Sequence, residues 1–331
     1  MQIGKLPNEV LKKAVFNNIK YKRKEVIQGA AIGMDNAIID FGDNICVMST
    51  DPITGATKDI GRLAIHISCN DVASSGAEPI GVLLTILVPP NTTEDDIHYI
   101  MKEAGNASKE LNVEIMGGHT EVTDAVNRVV LSTTVVGKQR KEKMLNPDNI
   151  KVGHKVLMTK YAGIEGTSIL ANELEDYLKD KIDKSQVEEA KSMGKFISVV
   201  KEGIICGEIG VDYMHDITEG GVLGAVWEGA MAIGKGIKIY EHLIPIKDVT
   251  KRIAHILEID PYRLISSGSM LIITSDDKVP IIEKRLKLEG IKVTVIGEVI
   301  EKGVYVEKND NIEEIVPPYS DELYKALSIL N

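Results

Sequence analysis

Residues 61–79 read Gly-Arg-Leu-Ala-Ile-His-Ile-Ser-Cys-Asn-Asp-Val-Ala-Ser-Ser-Gly-Ala-Glu-Pro, an apolar helix-like stretch carrying one Asn70-Asp71 pair and ending in a Gly-Ala-Glu-Pro stop. A carboxylate among Ala, Ile and Val is costly to bury, or is neutralised by a raised pKa, unless a cation or a strong donor set faces it. Asp71 is therefore the first candidate site residue.

The chain around this helix has 331 residues, 44% of them hydrophobic, which suits a globular protein of two ordinary domains. Its formal charge of −10 arises from 49 acidic against 39 basic residues spread along the sequence. That balance argues against a nucleic-acid surface, and the basic patch Lys138–Lys143 reads as a solvated loop. No secretory apolar region opens the chain and no segment approaches ~18 uninterrupted apolar residues, so no membrane association and a cytoplasmic location are expected. Cys46, Cys69 and Cys206 lie far apart in apolar sequence and read as buried thiols, with neither a disulfide framework nor a zinc site.

Short apolar runs at 37–40 and 45–50, joined at Gly42-Asp43-Asn44, predict paired strands. A helix is expected over 60–75, a strand over 80–88 closed by Pro89-Pro90, and a helix from the cap at Thr92-Thr93 through Leu111. Strands at 115–116 and 129–136 complete this half. Asn146-Pro147-Asp148-Asn149 is the clearest break and divides the chain into domains 1–148 and 149–331. The second half starts with a strand at 155–158, with helices expected near 165–178, 185–204, 220–232 and 279–289, and strands near 237, 270 and 293. Strands and helices mix without a regular βαβ order, which favours α+β domains over a doubly wound sheet.

Four carboxylates stand at the edges of apolar elements: Asp35 in Gly33-Met34-Asp35-Asn36, Asp51 in Ser49-Thr50-Asp51-Pro52, Asp71, and Asp216 in His215-Asp216-Ile217-Thr218-Glu219-Gly220-Gly221. Two carboxylates ~4 Å apart repel by about 4 kcal/mol at intermediate dielectric, so their convergence calls for a divalent cation or a shared proton. Magnesium suits all-oxygen ligands and arrives with phosphates. Taken singly, Asp51 also reads as a turn residue before Pro52, and Asp216 as a cap for the next helix. Met116-Gly117-Gly118-His119-Thr120-Glu121-Val122 fits either a structural turn or a loop whose backbone N–H groups face an anion. In an extended segment His119 and Glu121 share a face and Thr120 points away. Tyr161–Ser168 and Ser266-Ser267-Gly268-Ser269 offer two further Gly/Ser turns, while no phosphate-loop, dinucleotide or kinase signature is present.

In order, these motifs resemble the superfamily of aminoimidazole ribonucleotide (AIR) synthase, selenophosphate synthase, thiamine-monophosphate kinase and the hydrogenase-maturation carbamoyl dehydratase HypE. The resemblance spans nearly the whole chain and is nearest to the HypE group, through Ser49–Pro52, Gly61–Ala64, Asn70–Ala77, Gly118–Val122 and His215–Val222. It implies an α+β N-terminal domain whose strands pair in a homodimer to form a barrel, an α+β C-terminal domain, and ATP with Mg2+ in the cleft between them. By position it implies Asp35, Asp51, Asp71 and Asp216 as metal and phosphate carboxylates, with Thr120 and Glu121 lining the same site. Asp71, His119 and Glu121 are then the candidate catalytic groups, and Lys5 is a candidate phosphate contact. The chemistry implied is ATP-dependent activation of a carbonyl or similar oxygen, in which the protein supplies positioning and charge neutralisation.

The sequence departs from the HypE pattern in three places. That group ends in a motif with a terminal cysteine that carries the carbamoyl group, whereas this sequence ends Tyr324–Asn331 with no cysteine beyond Cys206. The expected substrate is therefore a small molecule or a group borne by a maturation partner protein. The sequence also opens with Gly4-Lys5-Leu6-Pro7 in place of a glycine-rich segment, and His119 stands where the family often has Asp. The alternatives are a non-catalytic nucleotide-binding dimeric scaffold and a small-molecule kinase resembling thiamine-monophosphate kinase.

Overall fold

The computed structural model describes residues 6, 8–31, 36–53, 59–318 and 320–330. After a single turn α1 (Asn8–Val10), the first half runs β1 (Val26–Gln28), β2 (Ala37–Phe41), β3 (Asn44–Ile53), α2 (Ile60–Ser74), β4 (Glu78–Val88), α3 (Glu94–Leu111), β5 (Glu114–Val122) and β6 (Val130–Arg140). The six strands form one sheet in the order β1-β2-β3-β6-β4-β5. All pairs are antiparallel except β4 with β5, which α3 connects. Such a parallel pair requires a crossover, and the helix expected from the Thr93 cap supplies it, closed by a reciprocal Thr93–Asp96 capping box.

Strand alternation gives this sheet two unlike faces. Val47, Ser49, Leu131, Thr133, Val135, Val82, Leu84 and Ile86 are buried beneath α2. The other face carries Leu83, Thr85, Ser132 and Thr134 and is only partly covered in a single chain.

The second half runs β7 (Lys155–Thr159), α4 (Ile164–Glu173), α5 (Glu175–Leu178), α6 (Lys184–Ser192), α7 (Val200–Ile209), β8 (Tyr213–Ile217), α8 (Gly221–Ile233), β9 (Gly236–Tyr240), α9 (Asp248–Ile256), β10 (Ser269–Thr274), α10 (Val279–Leu288), β11 (Val293–Ile300), β12 (Val304–Lys308), β13 (Asn311–Glu314) and α11 (Glu322–Leu327). Its seven strands lie in the order β13-β12-β9-β11-β7-β10-β8, with β9 and β12 the parallel pair. Leu271 and Ile273 point to the α8 side, while Met270 and Ile272 join the core on the α7 and α10 side. Both halves are thus α+β, as the irregular element order implies. Among the described residues no helix is long and apolar enough to cross a membrane.

Several expectations are corrected. The helix expected over 185–204 is two helices, α6 and α7, separated by a 3-10 turn at Met193–Phe196 and a short irregular link, residues 197–199. The helix expected over 165–178 is likewise interrupted, at Leu174. Strands β8, β12 and β13 and helices α9 and α11 lie where no element is expected; β8 carries no strand-like pattern because its buried residues include His215 and Asp216.

Helix α2 is enclosed on every side: by the first sheet, by α3, and by α7 and β8 of the second half. The approach of α7 depends on glycine, since a Cβ on Gly203 would stand 2.2 Å from Ala73 O and one on Gly207 2.7 Å from Gly76 Cα.

Candidate functional site

Asp71 lies near the C-terminal end of α2, 6% exposed. The donor that its burial demands is the Ser49 hydroxyl of β3, which bonds Asp71 Oδ2 at 2.7 Å and stands 3.5 Å from Asp51 Oδ2. The single O–H of Ser49 is donated to Asp71, and the Asp51 carboxylate lies beside the same oxygen. Asp51 sits within β3, opposite Thr133, and not in a turn. The Asn36 amide donates to Asp71 O at 2.7 Å and to Ser75 Oγ at 2.9 Å, tying the start of β2 to the end of α2.

Asp216 approaches from the second half. On β8, Tyr213 and Ile217 belong to the core beneath α8, whereas Met214 belongs to the core beneath α7. Asp216 shares the parity of Met214, is 1% exposed, and so faces the layer in which α2 packs against β8. His215 turns the other way and bonds Glu228 of α8 through Nε2 at 3.0 Å. Asp216 does not cap the following helix: α8 starts from Gly220 at φ +82°, with no side-chain cap. Among the described residues no three His, Cys, Asp or Glu side chains gather as metal ligands. Asp35 and Lys5 lie outside the described residues.

The Gly117-Gly118 segment is neither a turn nor an anion-facing loop; it is the middle of β5. Pairing slips from Val82↔Ile115 to Leu83↔Gly117, so Met116 is the extra residue of a bulge. Gly118 follows at φ +149°, where a Cβ would stand 1.8 Å from Leu84 O. His119 and Glu121 share a face, as their spacing implies, with Nε2 and Oε2 3.3 Å apart. That face is the sparsely covered one: His119 pairs with Thr85, Thr85 with Ser132, and Ser132 with Pro52. Asp51 faces the other side, in the row Thr133, Leu84, Gly118. Within one chain the sheet itself separates His119 and Glu121 from Asp51 and Asp71, whereas Thr120 lies on the Asp51 side.

The other two Gly/Ser turns meet each other. Gly163 N–H donates to Ser266 Oγ at 2.8 Å, and Ser267 bonds the carboxylate of Glu165 in the first turn of α4. Glu165 is buried close to Asp321 and Glu219, and burial pushes its pKa up to about 7. Asp321, pushed up to about 6 for the same reason, accepts backbone N–H groups of Gly220, Ile265 and Leu323 at 2.7, 3.1 and 2.8 Å. Neither Glu165 nor Asp321 stood out in the sequence as a site residue; the only signal was an acid beside a Gly/Ser turn.

Their raised values set the sign of a pH effect. Between pH 4.5 and 7 the folded chain holds a proton on Glu165 that the unfolded chain releases, so stability falls as pH rises through this window, and Asp321 adds in the same direction. Glu165→Gln is expected to be more stable than the wild type at pH 8 by on the order of 2–3 kcal/mol. The difference should shrink towards zero near pH 4.5, as urea unfolding at both pH values would measure.

Cys69 and Cys206 are fully buried, their thiols pushed up to about 12 by burial, and the half-buried Cys46 thiol is also raised. None of the three is an activated nucleophile.

Residues 33–139 match the family model of the AIR synthase related protein N-terminal domain, and residues 151–308 match that of its C-terminal domain. A protein of Methanocaldococcus jannaschii named for hydrogenase expression and formation is 30% identical over 275 residues, 81% of this chain and 79% of that protein. The carbamoyl dehydratase HypE of Bradyrhizobium diazoefficiens is 25% identical over 254 residues, 75% of this chain and 71% of that one. Among solved structures, a HypE–HypF complex superposes with a TM-score of 0.77 at 22% identity, covering 93% of this chain and 99% of that one. HypE in complex with ATP gives 0.71 at 20% identity, covering 85% and 87%.

Proposed function

The chain belongs to the AIR synthase related family, and from that premise we propose that it is an ATP- and Mg2+-dependent enzyme that activates a carbonyl or similar oxygen by phosphorylation. The observation that carries this reading is that Asp71, bonded by the Ser49 hydroxyl with Asp51 beside it on β3, lies on the helix that β8, the strand of Asp216, packs against from the other half. These donors are all hard oxygens, which fits Mg2+ better than a softer metal. In the proposed site, between domains 1–148 and 149–331, Asp51 and Asp71 would hold the cation from the first half and Asp216 from the second, three side chains that are not gathered as a ligand cluster among the described residues, with Asp35, outside those residues, as the fourth carboxylate. Bound there, the cation would offset the charge of the nucleotide phosphates. Ser49 orients Asp71, and the fixed backbone around the two N-terminal carboxylates limits reorganisation during reaction.

The relatives named as carbamoyl dehydratases and the HypE structure with ATP support this chemistry. The HypE–HypF complex supports a maturation partner protein, and the substrate is a small molecule or a group borne by such a partner. Titrating the chain with ATP, with and without Mg2+, in a calorimeter and then assaying for product tests the reading. Binding with turnover supports it, binding without turnover favours a nucleotide-binding scaffold, and no binding refutes it.

We further propose a homodimer formed through the open face of the first sheet, where Leu83 and Met116 are 43% and 47% exposed. The exposed His119–Glu121 pair would then lie at the subunit boundary. Leu83→Lys is expected to convert a dimer to a monomer in sedimentation analysis, and an unchanged mass would exclude this face as the contact.

A further inference from the structure

Asn70 is completely buried, and its amide is spent across the molecule. Nδ2–H donates to Ile197 O at 2.7 Å and Oδ1 accepts Val199 N–H at 2.8 Å, partners 127 and 129 residues away. Both are backbone groups of the link between the 3-10 turn at Met193–Phe196 and α7. Two hydrogen bonds from one rigid amide fix the orientation of α2 as well as its distance.

The adjoining 3-10 turn and the link itself are gripped elsewhere. Arg62, two turns earlier on α2, donates to Gly194 O at 2.8 Å. From the second half Lys160, held at φ +52° at the end of β7, donates to Phe196 O and Ser198 O at 3.2 and 2.5 Å and pairs with buried Glu202 at 2.7 Å. A Cβ on Gly268 would stand 2.3 Å from Phe196 O. The link is therefore firmly seated in the second half, and Asn70 docks onto a fixed object.

Asp71 is the next residue on α2, and the docked link leads directly into α7 and then β8, which carries Asp216. We infer that Asn70 is a positioning residue that sets Asp71 relative to Asp216, and so governs how tightly the two halves hold the divalent cation; this rests on the function proposed above. Asn70 contacts neither cation nor nucleotide in this scheme. Arg62 grips the adjoining 3-10 turn and lies far from Asp71, which separates positioning of the carboxylate from general fastening of the two halves.

The full-length chain and its Asn70→Ala, Asn70→Ser and Arg62→Ala variants would be titrated with a fluorescent ATP analogue over a range of Mg2+ concentrations. Hydrogen exchange at the Val199 amide would be followed in parallel. Both Asn70 variants are expected to raise the Mg2+ midpoint by about tenfold or more, within the range seen when partners of metal ligands are removed. Mg2+-free nucleotide affinity should stay unchanged, and Val199 should exchange faster. Arg62→Ala should leave the Mg2+ midpoint within about twofold of wild type, because it spares the contact beside Asp71. An unchanged midpoint in the Asn70 variants, an equal shift in Arg62→Ala, or failure of both Asn70 variants to fold would overturn the inference. If the wild-type chain itself shows no Mg2+-dependent ATP binding, the proposed function fails and the inference with it.

Discussion

Asp71→Asn is expected to lower Mg2+-dependent ATP turnover by at least about 10³-fold, the scale on which preorganised charged groups act on reacting phosphates. The fold should survive. Asparagine is nearly isosteric, its carbonyl oxygen still accepts the Ser49 hydroxyl, and the substitution removes a charge from a site that is 6% exposed. The thermal midpoint should thus remain within a few degrees of wild type, since ~1 kcal/mol moves a chain of this size by only that much. Phosphate release under saturating ATP, measured beside a thermal melt, gives both quantities. Undiminished turnover in a folded variant would remove Asp71 from the chemistry and leave Ser49 and Asp51 without a functional reading.

The second large effect is expected at a residue with no side chain. In Gly203→Val the new Cβ would fall 2.2 Å from Ala73 O and 2.8 Å from Ala73 Cβ, on a helix that is already boxed in. Main-chain atoms cannot move aside, so α7 has to lift from α2. The expected loss is about 3 kcal/mol or more, the upper range for overpacking, read from urea unfolding. ATP turnover should fall with it, because the displaced helix leads into the strand that carries Asp216. Gly105→Ala on α3 is the matched control: nothing lies within 4 Å of its Cβ, and stability should hold or rise. Equal stability of Gly203→Val and wild type would show that the two helices are not in the close contact described.

What the sequence made legible follows from which interactions are local. The strands at 37–40, 45–50 and 80–88, the capped helix before Leu111 and the apolar helix at 60–75 all lie where alternation, capping residues and glycine stops put them. The burial of Asp71 and its need for a donor were readable because a carboxylate in an apolar run has few solutions. Its donor was not, since Ser49 reaches Asp71 only through the packing of β3 under α2. The same holds for β8, whose buried polar residues imitate a loop, and for the β5 bulge, whose paired glycines imitate a turn. The sheet between His119 and Asp51 was invisible because periodicity tells faces apart within a strand, not across four of them. Asn70 stood in plain view beside Asp71, yet only the folded chain reveals that its partners lie in the other half.

The enclosure of α2 has a consequence for cooperativity. Val200, from the second half, completes the core of the first, and Leu63 of α2 packs into a core built from α4, α6 and α9. The interior of the first sheet is thus completed by a residue of the second half, and α2 is shared between two cores. Two architectural units share one folding unit, so the chain should melt in a single transition, and a fragment cut near residue 150 would expose the bare flank of α2 to water.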